Sequence, residues 1–392
     1  SALESMRGII LAWMGVGSVV GGVEAEEEGA EEAVAVEEGL PDGADVDDGN
    51  ETAVLPLAGV DVSPHPAAET AMSPTMARAA ARITSLLVLD GVDCTIFLSG
   101  RPVILRSQRP MPEIPDIEAY LEALRPRVLG SRLLGVRLTN PFLLRTVDPP
   151  LSALAGSRVE SVERLGKRIV FGLASSGGPL FLVLHLMVAG RLHWKTAGAT
   201  VPRGAGLAAF DFDTGTLVLT EAGKKRRASL RVVRGREALA DLDPGGLEVP
   251  GSSTADFAAA LRRENHTLKR ALTDPTILSG IGNSYSDEIL HRARLSPFKQ
   301  TSTLDDEEIG RLHEAAVAVL REWTERLCTA AQDAFPERVT AFRAGMAVHG
   351  RYGMPCPVCG AKVQHIVYAE NECDYCPQCQ TEGRILADRS LS

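Results

Sequence analysis

Residues 278–290 read Leu278-Ser-Gly-Ile-Gly-Asn283-Ser-Tyr-Ser-Asp-Glu-Ile-Leu290. Gly280 and Gly282 license a tight turn with positive φ, and Asn283 is a residue type that N-caps the helix expected to follow. A glycine turn that opens a helix aims backbone N–H groups outward, which suits a phosphate. Asp287 and Glu288 complement the helix dipole, and Lys269 in the preceding helical stretch can add a cation for the same phosphate. A plain helix–turn–helix hairpin with a glycine connector accounts for the spacing equally well, so the segment alone leaves both readings open.

Outward from this turn, helical periodicity runs through residues 258–272, 285–294 and 305–327. Upstream lie short β-type runs at 133–139, 168–174, 180–192, 207–212 and 216–220, with Asp213-Thr214-Gly215 as a hairpin turn. Ahead of them Ile117, Leu121 and Leu124 make one helical stripe, and Pro115 suits a first turn where no N–H is needed. The expected fold is α+β: a β-sandwich or barrel with one N-terminal helix, then a helical region. At the end come Cys356-Pro-Val-Cys359, a sixteen-residue spacer and Cys376-Pro-Gln-Cys379. Two such knuckles surround one structural Zn²⁺ tetrahedrally, with a hairpin between them. Cys373 falls outside the pattern and reads as a spare thiol.

The chain has 392 residues, which predicts two or three domains at about 100–200 residues each. Its composition, 45% hydrophobic and 23% charged, excludes collagen-like and fully disordered classes. A net charge of −10 argues against nucleic acid only until it is divided. Residues 1–110 hold 18 acidic and 6 basic side chains, whereas 111–392 hold 33 and 35. Residues 24–51 carry no Lys, Arg or aromatic residue, so disorder is expected there. A partner-binding or DNA-mimicking tail is the functional alternative; a solvated linker, or sequence absent from the working protein, is preferred. The apolar stretch 9–23 mimics a signal peptide but is Gly-rich and lacks a clean cleavage site. No run reaches the ~18 apolar residues of a membrane span. The thiolate module points to a reducing compartment, the cytoplasm.

Met111-Pro112-Glu113-Ile114-Pro115-Asp116 resembles the Met-Pro-Glu-Leu-Pro amino terminus of the formamidopyrimidine-DNA glycosylase/endonuclease VIII family. Segment 278–290 is similar to that family's helix–two-turn–helix. The Cys₄ ribbon, introduced by Val348-His-Gly-Arg-Tyr-Gly-Met-Pro-Cys356, is similar to its C-terminal zinc finger. The likeness spans 111–392 and leaves 1–110 unmatched. It implies a catalytic β-sandwich domain with one long helix (111–245), a helix–two-turn–helix domain (246–345) and a zinc finger (346–392), while composition makes 1–110 an acidic, disordered leader or non-native extension.

The resemblance implies a monomeric, nucleoid-associated base-excision-repair enzyme acting on double-stranded DNA with damaged bases or abasic sites. It would remove oxidised or ring-opened bases as a glycosylase, and cut the strand by β- or β,δ-elimination as an AP lyase. In that chemistry the initiator Met is removed and the exposed proline amine attacks C1′ to form a Schiff base. Attack needs a free lone pair, which a terminal α-amine with a pKa of about 7.7–8.0 offers at neutral pH. An internal proline is a tertiary amide and cannot attack. Pro112 therefore serves only in a chain that starts there, and translation from Met111 with ordinary Met removal is the preferred reading. Proteolytic exposure of Pro112 is a second possibility, and a catalytically inactive damage- or structure-specific DNA-binding protein of the same fold is the third.

The family's other roles fall on Glu113 as general acid/base at the sugar, on Lys167 near the lesion, and on Cys356, Cys359, Cys376 and Cys379 as zinc ligands. Lys269, Asn283, Arg226 and Arg227 would face DNA, with Asn371 standing at the ribbon's arginine position. Outside the family, Lys167 is an ordinary surface lysine, and His185 is either a hydrogen-bonded core histidine or a DNA contact. Val188 replaces the family's wedge Met, with Met187 adjacent, and Ala228 stands where its Phe is expected. Asn371 forgoes the charge-assisted contact an arginine would make.

Overall fold

The computed structural model describes residues 94–98, 101–105, 111–222, 225–337, 343–368 and 371–387. The signal-like stretch, the acidic run, Lys224 and the side chain of Asn371 lie outside the described residues. Within the leader, β1 (Cys94–Leu98) and β2 (Arg101–Leu105) pair antiparallel, Cys94 opposite Leu105. The disorder expected across 1–110 is thus corrected for this stretch, where Ile96, Phe97, Val103 and Ile104 favour extended backbone.

Helix α1 (Ile114–Val128) has Pro115 in its first turn, and the Asp116 carboxylate accepts the Glu113 backbone N–H at 2.9 Å. Eight strands follow: β3 (Arg132–Leu138), β4 (Ser157–Leu165), β5 (Arg168–Ser175), β6 (Gly178–His185), β7 (Gly190–Lys195), β8 (Gly206–Phe212), β9 (Gly215–Glu221) and β10 (Ser229–Arg234). They form one antiparallel sheet in the order β10-β6-β5-β4-β3-β8-β9-β7. β3 and β4 align only at Arg132–Arg158 and Leu133–Ser157, so the sheet folds there into two four-stranded layers. Register shifts between Leu133 and Gly135 and between Val159 and Ser161 supply the bend. Phe171 and Phe212 meet across the layers with ring centroids 6.2 Å apart. Ile117, Tyr120, Leu121 and Leu124 of α1 join the same core as Leu182, Leu184, Leu217 and Leu219. Each such side chain, once buried, contributes roughly 1.5–3 kcal/mol.

The single run expected at 180–192 is two strands, β6 and β7, separated by a turn at 186–189 that apolar composition concealed. Likewise 258–272 is two helices. After α2 (Gly235–Ala240) come α3 (Thr254–Arg262) and α4 (Leu268–Thr273), divided where the Thr301 N–H donates to His266 O and the His266 N–H donates to Thr301 Oγ1. α5 (Asn283–Ala293) and α6 (Asp306–Asp333) complete a second core, with Tyr285 edge-on to Trp323 at 6.0 Å. Ala119 and Ala123 let α1 lie against the far end of α6 at Ala331. β11 (Gln364–Tyr368) and β12 (Asn371–Tyr375) form a hairpin, followed by α7 (Pro377–Thr381). Among the described residues, no helix is long and apolar enough to cross a membrane.

Candidate active site and metal centre

Gly280 and Gly282 are where the two cores meet. Gly282, not Asn283, is the N-cap of α5, and it has no side chain with which to cap. The orphan donors go to Glu113 instead: its carboxylate accepts from the backbone N–H of Gly282 at 2.6 Å, Ser284 at 2.8 Å and Tyr285 at 3.3 Å. A carboxylate of the chain itself thus takes the N–H groups of Gly282, Ser284 and Tyr285 and complements the helix dipole. Ile114 N–H also donates to Gly280 O at 3.1 Å. Glycine is required at both positions: a Cβ on Gly280 (φ +75°) would lie 2.2 Å from Ile114 Cγ1, and one on Gly282 would lie 2.6 Å from Glu113 Cδ. Glu113 is 2% exposed, and anchoring it fixes the buried Pro112 beside it.

Lys167 occupies the tight β4–β5 turn with Gly166, and its Nζ lies 4.0 Å from Met111 Sδ. The amine thus rests on the residue whose removal would free the Pro112 nitrogen. Burial holds the Lys167 ammonium below the ordinary lysine range, against the pull of the Glu113 and Asp116 carboxylates. Asp116 is itself ion-paired with Arg343; burial raises its pKa and Arg343 opposes that rise. Arg164 bridges Glu118 at 2.8 Å and Glu248 at 2.6 Å, and Glu248 also accepts from Ser279 Oγ, which ties β4 and α1 to the glycine turn. Sequence reading missed these links. Asp116 alone left a signal, three residues after an acidic helix cap.

Lys269 is corrected as a phosphate ligand. It is 8% exposed, and its three ammonium donors are engaged by Asn283 O, Ser286 Oγ and Asp287 Oδ1 at 2.9, 2.9 and 2.6 Å. Asp287 and Glu288 do more than favour a dipole. Asp287 also accepts from His349 Nδ1 at 2.8 Å, and Glu288 accepts the backbone N–H groups of Ala347, Val348 and His349. His349 in turn faces Asp374 of β12, which pairs with His365 at 2.7 Å. α5 thereby holds the first core at one end and the cysteine module along its length.

Arg226 and Arg227 are exposed; Arg226 donates to Gly204 O, and the Arg227 backbone N–H to buried Glu221 at 2.9 Å. Asn283 is half-buried at the start of α5. Ala228, at 4% exposure, belongs to the core. Met187 adopts φ +52°, a strained value for a side-chain-bearing residue, in a turn fastened by Arg191 to Val188 O and Gly190 O. Among the described residues His185 Nε2 is buried without a partner, so the reading as a satisfied core histidine is not met there. Burial, aided by Arg168 and Lys167, pushes its pKa down to about 4.

The four patterned cysteines converge, Cys356 Sγ lying 3.9 Å from Cys379 Sγ and Cys359 Sγ 3.3 Å from Cys376 Sγ. All are free thiols. A tetrahedral ion with bonds of about 2.3 Å to sulfur separates its ligands by about 3.8 Å, so the donor set fits a thiolate-bound metal. Cys373 stays outside the cluster, buried against Asp287, and burial pushes its thiol pKa well up.

Known proteins resemble this chain in sequence and fold. The family model described as the formamidopyrimidine-DNA glycosylase N-terminal domain matches residues 111–229, and that for the formamidopyrimidine-DNA glycosylase H2TH domain matches 249–332. The formamidopyrimidine-DNA glycosylase of Thermus thermophilus is 35% identical over 283 residues, 70% of this chain and 100% of that protein. An uncharacterized formamidopyrimidine-DNA glycosylase-like protein of Mycobacterium tuberculosis is 42% identical over 151 residues, 38% of this chain and 92% of that one. Among solved structures, Lactococcus lactis Fpg in complex with abasic-site DNA superposes with a TM-score of 0.60 at 23% identity, covering 69% of this chain and 99% of that one, a likeness of fold. With two of the family's domains matched in order and a relative covered from end to end, the chain belongs to the formamidopyrimidine-DNA glycosylase family.

Proposed function

We propose that this protein is a base-excision-repair DNA glycosylase with associated AP lyase activity, and that Pro112 is its nucleophile once it stands at the chain's amino terminus. The observation that carries the assignment of residues is the clamp of Glu113 on the start of α5, which fixes the neighbouring proline between the two cores. The Pro112 nitrogen attacks C1′ of the damaged nucleotide, the base departs with the electron pair of its glycosidic bond, and opening of the C1′–O4′ bond with protonation of the ring oxygen leaves a Schiff base. Glu113 is the general acid/base at the sugar, and Lys167, lowered in pKa and turned toward the same end, assists elimination. Relatives with this fold have been captured on DNA containing an abasic site or carbocyclic 8-oxo-G, and damaged double-stranded DNA is the substrate class assigned here.

The chain divides into a leader (1–110), a catalytic domain (111–245), a helix–two-turn–helix domain (246–345) and a zinc ribbon (346–392). Cys356, Cys359, Cys376 and Cys379 would hold one structural Zn²⁺, which supplies fold and not chemistry. Arg226, Arg227, Asn283 and Asn371 would contact the DNA, the two arginines by neutralising phosphates, so binding should weaken steeply with salt. Borohydride trapping on abasic-site DNA tests the reading. A chain beginning at Pro112 should form a covalent adduct, and a Gly-Ser extension ahead of Pro112 should abolish it. Equal adduct from both would overturn the assignment of the nucleophile.

A further inference from the structure

α5 carries one more buried group toward the cysteine module. His291 is 6% exposed, and its Nε2 lies 3.2 Å from Cys356 Sγ. The donor atoms of His291, Cys356, Cys376 and Cys379 all fall within 4.8 Å of one another. Cys359 Sγ stands outside that close set but lies 3.3 Å from Cys376 Sγ, so five donors are on offer where a tetrahedral ion takes four. The cysteines are not equivalent, for Cys359 is exposed while Cys356 and Cys376 are buried and Cys379 is half-buried. His291 stands on a helix of the second core, outside the knuckles, so its place does not depend on both knuckles being closed. A cavity of about 390 Å³ borders His291 and Cys379 and leaves the ring room on that side.

We propose that His291 is a reserve ligand of the ribbon metal. With Cys359 bound, its Nε2–H donates to the Cys356 thiolate; with Cys359 lost, Nε2 joins the three thiolates it already borders and completes a Cys₃His set. The exchange is a substitution at the metal without electron transfer. The imidazole ligates as its neutral Nδ1–H tautomer, the Nε2 proton passing to Nδ1 through solvent. The inference rests on the four-cysteine reading, which cobalt binding by the unaltered chain tests separately.

The experiment loads full-length chains with Co²⁺ and reads d–d and thiolate-to-cobalt charge-transfer absorption, with circular dichroism recording helical content. The unaltered chain and His291→Ala should each bind one equivalent with a four-thiolate spectrum. Cys359→Ala should still bind one equivalent, with its d–d bands moved to shorter wavelength and charge transfer weakened to that of three thiolates. Adding His291→Ala to Cys359→Ala should lower affinity by on the order of tenfold or more and alter the d–d bands again, because water then stands beside the three thiolates. His291→Gln, which keeps packing and a donor, should act like Ala and covers the case in which Ala disturbs α5. Cys359→Ala binding cobalt no better than Cys376→Ala, or a Cys359→Ala spectrum untouched by loss of His291, would overturn the proposal. Failure of the unaltered chain to bind cobalt would overturn the four-cysteine reading itself.

Discussion

Replacing Glu113 by Gln tests the clamp on which the active site is built. Glu113 Oε2 accepts from Gly282 at 2.6 Å and Tyr285 at 3.3 Å, and Oε1 accepts from Ser284 at 2.8 Å. A glutamine has one acceptor oxygen, so its best placement keeps the Oε2 pair and turns its NH₂ against the Ser284 N–H. One buried donor left unsatisfied costs about 1–3 kcal/mol. The two surviving bonds lose their charge assistance, which adds about 1 kcal/mol. At about 2–4 °C per kcal/mol for a fold of this size, the melting temperature should drop by about 4–16 °C. Gly282→Ala reaches the same clamp without altering the charge. Its φ of −130° suits alanine, yet the new Cβ would stand 2.6 Å from Glu113 Cδ and 2.8 Å from Oε1. Both variants, made in a chain beginning at Pro112, should melt early and trap abasic-site DNA slowly. Thermal unfolding by circular dichroism and borohydride trapping provide the two readouts. A Glu113→Gln melt within about 1 °C of the parent, or parental trapping by Gly282→Ala, would refute the reasoning.

Three other outcomes follow from the geometry. Burial keeps the Lys167 ammonium below its ordinary 10.5, so strand cleavage should show an alkaline limb below that pH, and Lys167→Met should remove it; a limb that persists counts against the role. Burial disfavours charge on His349, but the Asp287 hydrogen bond and the Asp287 and Asp374 charges outweigh it and raise the pKa above 6.5. Stability from charged His349 is then complete below pH 6.5 and fades as pH rises through the folded value. The melting temperature of the unaltered chain should therefore approach that of His349→Gln as pH climbs, and parallel curves would contradict it. The ribbon's apolar core is little more than Val348, Val363 and buried cysteines, so stripping the metal with a chelator should unfold 346–387 selectively. Limited proteolysis would then cut within the ribbon, and a resistant metal-free ribbon would show that the ion is dispensable.

Local text was enough for those elements whose residues carry their own instructions. The stripe of α1, the Asp213-Thr214 hairpin and the paired Cys-x-x-Cys knuckles were legible because periodicity, turn chemistry and ligand spacing are set within a few residues. β4 escaped notice because the register shift between Val159 and Ser161 puts Val159 and Val162, three apart, on the same buried side, which breaks the alternation of a strand. The helix break at 263–267 was invisible for a different reason: it is made by Thr301, far along the chain.

The sequence by itself determined which side chains could do chemistry: a proline and a glutamate at 112 and 113, a turn lysine and a thiolate cluster. Only tertiary structure decided what meets what. The donors of the glycine turn could have received a phosphate, yet they receive Glu113, 169 residues away from Gly282. Lys269 could have faced DNA, yet Asp287 holds it inside. A buried donor or cation must find a partner wherever the packed chain offers one, and residue type and spacing do not say which distant group arrives.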